Sequence, residues 1–322
     1  MNAVDSHMHV NFAGLSLDDV IKYLDMNRID CCWLLSLEEI NPGPWHPGPW
    51  LYEHSSIEDV YDAYLKHPSR IIPFHAPDPH KNNAAAELEY WYQQGIQGCG
   101  EMKATLNWGS SSIQKVLSTV EKCRIPLVFH MEESEVRINL RSSSILNRIL
   151  SRGLETKRKI YQIPKKVLQT LVNRYPPLRN RFEYYTFPGY MLDFASLEVA
   201  LADYPNINYV AHGPMFWKYI STDATGSNET YPKGPVTGEG IIWRLLTDYP
   251  NLYADISGLS GLNALTRDPL NAKKFLSLFK DKILYGTDNM MREHGDFLHS
   301  LGLSQEAYKN IFGKNASRLI NR

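Results

Sequence analysis

The sequence predicts an α/β fold, a closed (β/α)8 TIM barrel, as one domain over residues 1–322. Three observations predict it. Eight short apolar runs alternate with segments of helical periodicity, which implies parallel strands joined by right-handed crossovers. Several of these runs end in a histidine or an aspartate, and barrel enzymes build their sites on the rim where strands end. No composition shift marks an internal linker, and no exact repeat or glycine-rich phosphate loop is present.

Strand one is expected over Ala3–Val10, where alternation puts His7 and His9 on one face. Ser16 then opens a helix as N-cap, with Asp19 completing a capping box and Leu17, Val20, Ile21 and Leu24 at helical spacing. Strand two is Cys31–Ser36. The following loop, Asn41–Trp50, is broken by prolines and glycines and should lie at the site mouth. A helix near Ser56–Lys66 leads to strand three, Arg70–His75. A helix near Asn83–Gln94 leads to strand four, Gly98–Lys103, where Cys99, Glu101 and Lys103 are expected on one face. A helix near Ser112–Cys123 leads to strand five, which ends at His130.

The segment Glu133–Tyr190 exceeds an ordinary connection several-fold and is rich in Arg, Lys and Tyr. It reads as a helical insertion after strand five, acting as lid or oligomer contact, with helical patches at Ile145–Leu150 and Lys165–Asn173. A helix near Ser196–Tyr204 precedes strand six, Ile207–His212. A long loop, Gly213–Val236, carries Trp217, Lys218, Tyr219, Tyr231 and Lys233. Helix Gly238–Asp248, strand seven at Asn251–Ile256, helix Asn271–Phe279 and strand eight at Lys282–Thr287 complete the barrel. Helices near Phe297–Leu301 and Gln305–Phe312 close the chain.

Composition narrows the function. The chain is 43% hydrophobic, enough for a substantial core, and its net charge is −1 with no long basic patch, which argues against a nucleic-acid partner. No apolar run has the length of a membrane span. A strand within three residues of the start leaves no room for a signal peptide, so the expectation is a cytoplasmic protein. Cys31, Cys32, Cys99 and Cys123 lack metal-ligand spacing and read as reduced core residues. A small-molecule substrate is expected, with a homodimer as the default assembly.

The chemistry lies in the strand ends. His7, His9, His130, His212 and Asp288 each terminate an apolar run, and the reading is that these ends meet around a divalent metal. Glu101 and Lys103 leave three alternatives: a buried ion pair, Glu101 bridging a second metal, or Lys103 binding substrate or becoming a carboxylated ligand. As a set, Asp5-Ser6-His7-Met8-His9, His130, His212, Gly286-Thr287-Asp288 and the closing Gly313-Lys314-Asn315-Ala316-Ser317-Arg318-Leu319 resemble the amidohydrolase superfamily. The resemblance is to its amidohydrolase-related branch, which includes aminocarboxymuconate-semialdehyde decarboxylase. Leu252–Ser257 resembles that branch's seventh strand.

The resemblance implies a mononuclear site with His7, His9, His130 and Asp288 as ligands and His212 assisting beside the metal. Glu101 departs from that pattern and is similar to the bridging ligand of binuclear deoxyribonuclease-like relatives. Zn2+ suits this donor set, with Mn2+ or Fe2+ as alternatives, one or two per chain. The expected function is a metal-dependent hydrolase that turns metal-activated water on an amide, lactone or ester, with Asp288 and His212 as catalytic groups. The alternative is non-oxidative decarboxylation of an unsaturated or aromatic acid, which needs a cation for the carboxylate. Lys103, Arg137 and Lys218 are the candidate cations, and Trp217 is a further candidate substrate contact. A non-catalytic metal-binding barrel is the reading from another class.

Overall fold

The computed structural model describes residues 3–12, 15–37, 55–140, 182–227, 229–288 and 292–320. The side chains of 136–140 and 182–185 lie outside this description, as do the predicted loop Asn41–Trp50 and the predicted helical patches Ile145–Leu150 and Lys165–Asn173. The chain forms two compact units. The first comprises residues 1–40, 54–133 and 189–322, and the second residues 41–53 and 134–188.

The larger unit is the barrel. Its strands are β1 (Val4–Met8), β2 (Cys31–Leu35), β3 (Ile71–His75), β4 (Gly98–Met102) and β5 (Leu127–His130), followed by β8 (Tyr209–His212), β9 (Leu252–Asp255) and β10 (Ile283–Leu284). They pair in that order, all parallel. The last strand meets the first through two backbone bonds: Ser6 N–H donates to the Tyr285 carbonyl and Asp288 N–H to the His7 carbonyl, each at 2.9 Å. In the smaller unit, β6 (Glu135–Leu140) and β7 (Phe182–Phe187) form an antiparallel ribbon. The ends of the insertion are therefore strand, where helix was expected. Val136, Ile138 and Leu140 alternate with polar residues, the period-two pattern of a ribbon.

Local chemistry explains the helices. Ser16 caps the helix Leu17–Asn27 and forms the full capping box with Asp19. Ser56 caps Ile57–Lys66, Ser110 caps Ser111–Cys123 and Ser304 caps Gln305–Lys309, each accepting the backbone N–H three residues on. Pro214–Lys218 forms a short buried helix where the sequence reads as loop. Proline at the first helical position explains it, since its missing N–H is one the first turn leaves unpaired anyway.

Two hydrophobic layers hold the barrel. Inside, Val4, Trp33, Leu35, Phe74, Val128, Val210 and Leu284 form one buried cluster, joined by Ala316 and Leu319 of the C-terminal helix Asn315–Ile320. Outside, strand residues such as Leu34, Met102, Phe129 and Ala211 pack with helix residues such as Val20, Leu24, Val116, Leu245 and Phe275. All four cysteines are free, and Cys32, Cys99 and Cys123 are buried. No helix among the described residues is long and apolar enough to cross a membrane.

Strand β4 departs from the expected alternation. Cys99 packs in the outer layer, not on the face of Glu101, because the β4–β5 register shifts between Cys99 and Met102. Gly100 lies at the shift. Its φ is +147°, and a Cβ there would lie 2.7 Å from the Val128 Cβ. Gly100→Ala should therefore cost about 2–4 kcal/mol, read as a lower urea midpoint at unchanged m. A wild-type midpoint would show that β5 yields to the added methyl.

Candidate metal centre

The strand ends converge as the parallel topology requires. A bulge in β1 between Asp5 and Met8 leaves Met8 in the outer layer while His7 and His9 face the barrel axis. The His9 Nδ1–H donates to the Leu35 carbonyl at 2.8 Å, which turns Nε2 toward the site. Asp288 follows β10 in a left-handed backbone conformation, φ +41°, which a short carboxylate side chain tolerates. Gly258 packs against it: a Cβ at Gly258 would stand 3.2 Å from Asp288 Oδ2.

Glu101 lies at the centre of the site. Its Oε2 is 3.5 Å from His9 Nε2, 3.8 Å from His7 Nε2 and 2.9 Å from the Lys103 ammonium. Its Oε1 is 2.7 Å from His130 Nδ1 and 3.6 Å from His212 Nε2. Lys103 is thus an ion-pair partner of Glu101. His130 turns its other nitrogen toward Glu132, whose Oε2 is 3.5 Å away. Asp288 Oδ1 is 4.0 Å from His9 Nε2.

Asp255, at the end of β9, was not singled out in the sequence. It is fully buried, and its two oxygens meet two imidazoles: His7 Nδ1 on Oδ2 and His212 Nδ1 on Oδ1, both at 3.0 Å. Ser257 donates its N–H to Oδ1 at 3.0 Å, and its hydroxyl also bonds that oxygen. The signals available were its place in the segment Leu252–Ser257, which carries part of the resemblance, and its sharing with the histidines the last position of an apolar strand. Asp5 opens the N-terminal motif, and its role emerges only in the structure. It accepts from the Thr287 hydroxyl at 2.5 Å, the Thr287 N–H at 3.1 Å and the His7 N–H at 3.2 Å.

Burial and pairing oppose each other throughout the site. Burial pushes the Glu101 carboxyl up, but Lys103 and His130 outweigh it and hold Glu101 well below the usual carboxylate range. Asp255 is likewise held low, against burial, by His212 and His7. Burial disfavours the charged form of His7, yet Asp255 and Glu101 raise its pKa well above the ordinary value. At His212 burial wins and the pKa falls. Asp5, with no cation beside it comparable to Lys103, is pushed by burial up to about 7.

Among the described residues, two groups of side chains bring ligand atoms within 4.8 Å of one another: His7, His9 and Asp288, and His7, Glu101 and His212. His7 Nε2 is buried and has no hydrogen-bond partner, although it points at both groups. A buried nitrogen without a partner costs about 1–3 kcal/mol, so the donor set fits a divalent cation. His130 stands beside these groups, bonded to Glu101. The other sequence candidates lie elsewhere. Trp217 is fully buried and donates its indole N–H to the Asp255 carbonyl at 2.8 Å. Lys218 is buried with Glu133 at 2.7 Å and the Ser227 carbonyl at 2.6 Å. Arg137 is in β6 of the smaller unit, and its side chain is outside the description.

No protein-family model matches the sequence, and no curated protein matches it. Solved structures do match along the whole chain. One is a putative amidohydrolase from Staphylococcus aureus, with TM-score 0.55, 14% identity and 100% of both chains covered. A second is a probable 2-pyrone-4,6-dicarboxylic acid hydrolase from Acinetobacter baumannii with citric acid bound, with TM-score 0.53, 14% identity and 100% of both chains covered. A third is a dihydroxybenzoic acid decarboxylase from Polaromonas sp. JS666 with bound manganese and the inhibitor 2-nitroresorcinol. Its TM-score is 0.51 at 16% identity, over 99% of this chain and 97% of that one. At such identities the likeness concerns the fold alone, and that fold is a TIM barrel.

Proposed function

We propose that the chain is a metal-dependent hydrolase that uses metal-activated water on an amide, lactone or ester of a small molecule. One observation carries this reading. Glu101 turns its two oxygens to different imidazole pairs, Oε2 to His7 and His9 and Oε1 to His130 and His212. A carboxylate so surrounded suits a bridge between two cations, the arrangement of two-metal hydrolytic sites. His7, His9 and Asp288 would hold one ion and His130 and His212 the other, with Glu101 shared. Nitrogen and oxygen donors suit Zn2+, Mn2+ or Fe2+. Such an ion, when bound, lowers the pKa of water toward about 7 and polarises a substrate carbonyl.

The chain's own residues have separable tasks. Asp288 has a side chain 21% exposed, which leaves it within reach of an entering substrate. It takes the proton from the attacking water and passes it to the leaving group. His212 is kept neutral by burial and gives its Nδ1–H to Asp255, so its Nε2 acts as a ligand and not as a proton donor. Lys103 keeps Glu101 ionised.

Decarboxylation is less well supported, because it needs a cation free to grip a carboxylate. Of the candidate cations whose side chains are described, Lys103 is engaged by Glu101 and Lys218 by Glu133; the Arg137 side chain is outside the description. A non-catalytic metal-binding barrel is weaker still, since it gives the partly exposed Asp288 no task.

Metal analysis of protein purified without chelator should find two divalent ions per chain, falling to one in Glu101→Ala. A single ion in both proteins would remove Glu101 as a bridge, and none in either would remove the metal reading. Asp288→Asn should keep its metal yet lose about 10²–10⁴-fold in turnover of a lactone or amide substrate. Turnover near wild type would end its proton-transfer role.

A further inference from the structure

We propose that Asp255 is a positioning residue that sets the tautomers of both His7 and His212, so that each presents a bare Nε2 to the metal centre. The inference rests on the metal-centre reading above but draws on a different part of the site.

The argument is one of donors and acceptors. An ionised carboxylate only accepts hydrogen bonds. Asp255 Oδ2 meets His7 Nδ1 and Asp255 Oδ1 meets His212 Nδ1, both at 3.0 Å; the Ser257 hydroxyl, 2.8 Å from His212 Nδ1, gives its one proton to Oδ1 and can only accept there, so both Nδ1 atoms donate. A neutral imidazole carries one N–H, and with that proton on Nδ1 the Nε2 lone pair is free. His7 Nε2 is the buried nitrogen without a partner, and His212 Nε2 points at Glu101. His9 is set in the same way by a backbone acceptor, the Leu35 carbonyl.

Asp255 is itself held fast. Trp217 donates to its carbonyl oxygen, and Ser257 donates its N–H to Oδ1. These bonds make the two carboxylate oxygens inequivalent. Oδ1 must remain an acceptor for the Ser257 N–H, whereas Oδ2 has His7 as its partner. An amide at this position would keep its oxygen on the Ser257 side and turn its NH2 toward His7. Asp255→Asn should therefore reverse the tautomer of His7 alone, putting a proton on the nitrogen that faces the metal centre.

The test uses metal-free protein labelled with 15N at histidine, at a pH high enough to leave the imidazoles neutral. Two-bond 1H–15N correlations then report which ring nitrogen carries the proton, and His7→Gln and His212→Gln assign the signals. Wild type should show a protonated Nδ1 on both rings. Asp255→Asn should show a protonated Nε2 on His7 and an unchanged His212, with Zn2+ affinity lowered 10–100-fold by calorimetry. A bare Nδ1 on either ring in wild type overturns the proposal, as does a variant whose His7 tautomer or Zn2+ affinity is unchanged. Should the variant not fold, the wild-type spectrum decides alone. Wild type with both Nδ1 protons but no Zn2+ uptake would sink the metal reading and leave the role of Asp255 standing.

Discussion

The seam between the first and last strands is the constraint on which the rest of this structure depends. Asp5 and Thr287 are 282 positions apart, yet the Asp5 carboxylate receives both the N–H and the hydroxyl of Thr287. Backbone bonds from Ser6 to Tyr285 and from Asp288 to His7 flank this contact. Closing a loop of that length costs on the order of 5 kcal/mol by the logarithmic chain-entropy term. The apolar interior of the barrel, with Trp33, Phe74 and Leu319 at its base, offsets that cost. The same seam brings His7 and His9, from one end of the chain, beside Asp288, from the other.

The polar upper half of the barrel has a different energetic logic. Glu101 and Asp255 are buried carboxylates, which would be costly alone. Each is tolerated because imidazoles, and for Glu101 also Lys103, face it within hydrogen-bond or ion-pair distance. The pairing leaves the imidazole nitrogens on the axis short of partners, most clearly His7 Nε2. A fold that leaves a nitrogen in that condition gives up stability locally and gains an aimed donor set. The apolar cluster beneath supplies the rigidity that keeps the donors aimed.

Much of this architecture was legible in the sequence because its signals are local. Ser16 with Asp19, and the apolar runs ending in His130 and His212, carry their meaning within a few residues. Other features were not legible because their meaning is relational. Trp217 reads as a loop aromatic suited to substrate, but the chain folds it inward to brace Asp255. Lys218 reads as a solvated or substrate-facing cation, and Glu133, 85 positions away, claims it. Strict alternation puts Cys99 on the face of Glu101, and the register shift between Cys99 and Met102 separates them. Asp255 lies in a segment that carries part of the resemblance, but its role comes from two rings that reach it from other strands.

By itself, then, the amino-acid sequence determined the eight barrel strands and most of the helices between them, their parallel order and the residue types at the strand ends. These follow from periodicity, capping and the alternation of side chains along a strand, all short-range properties of the chain. The tertiary structure alone decided which carboxylate meets which imidazole, which cations are already paired, and which nitrogen faces the axis. Those outcomes depend on strand register and on how the barrel closes, and hydrogen bonding at about 3 Å selects partners only after that closure has brought distant residues together.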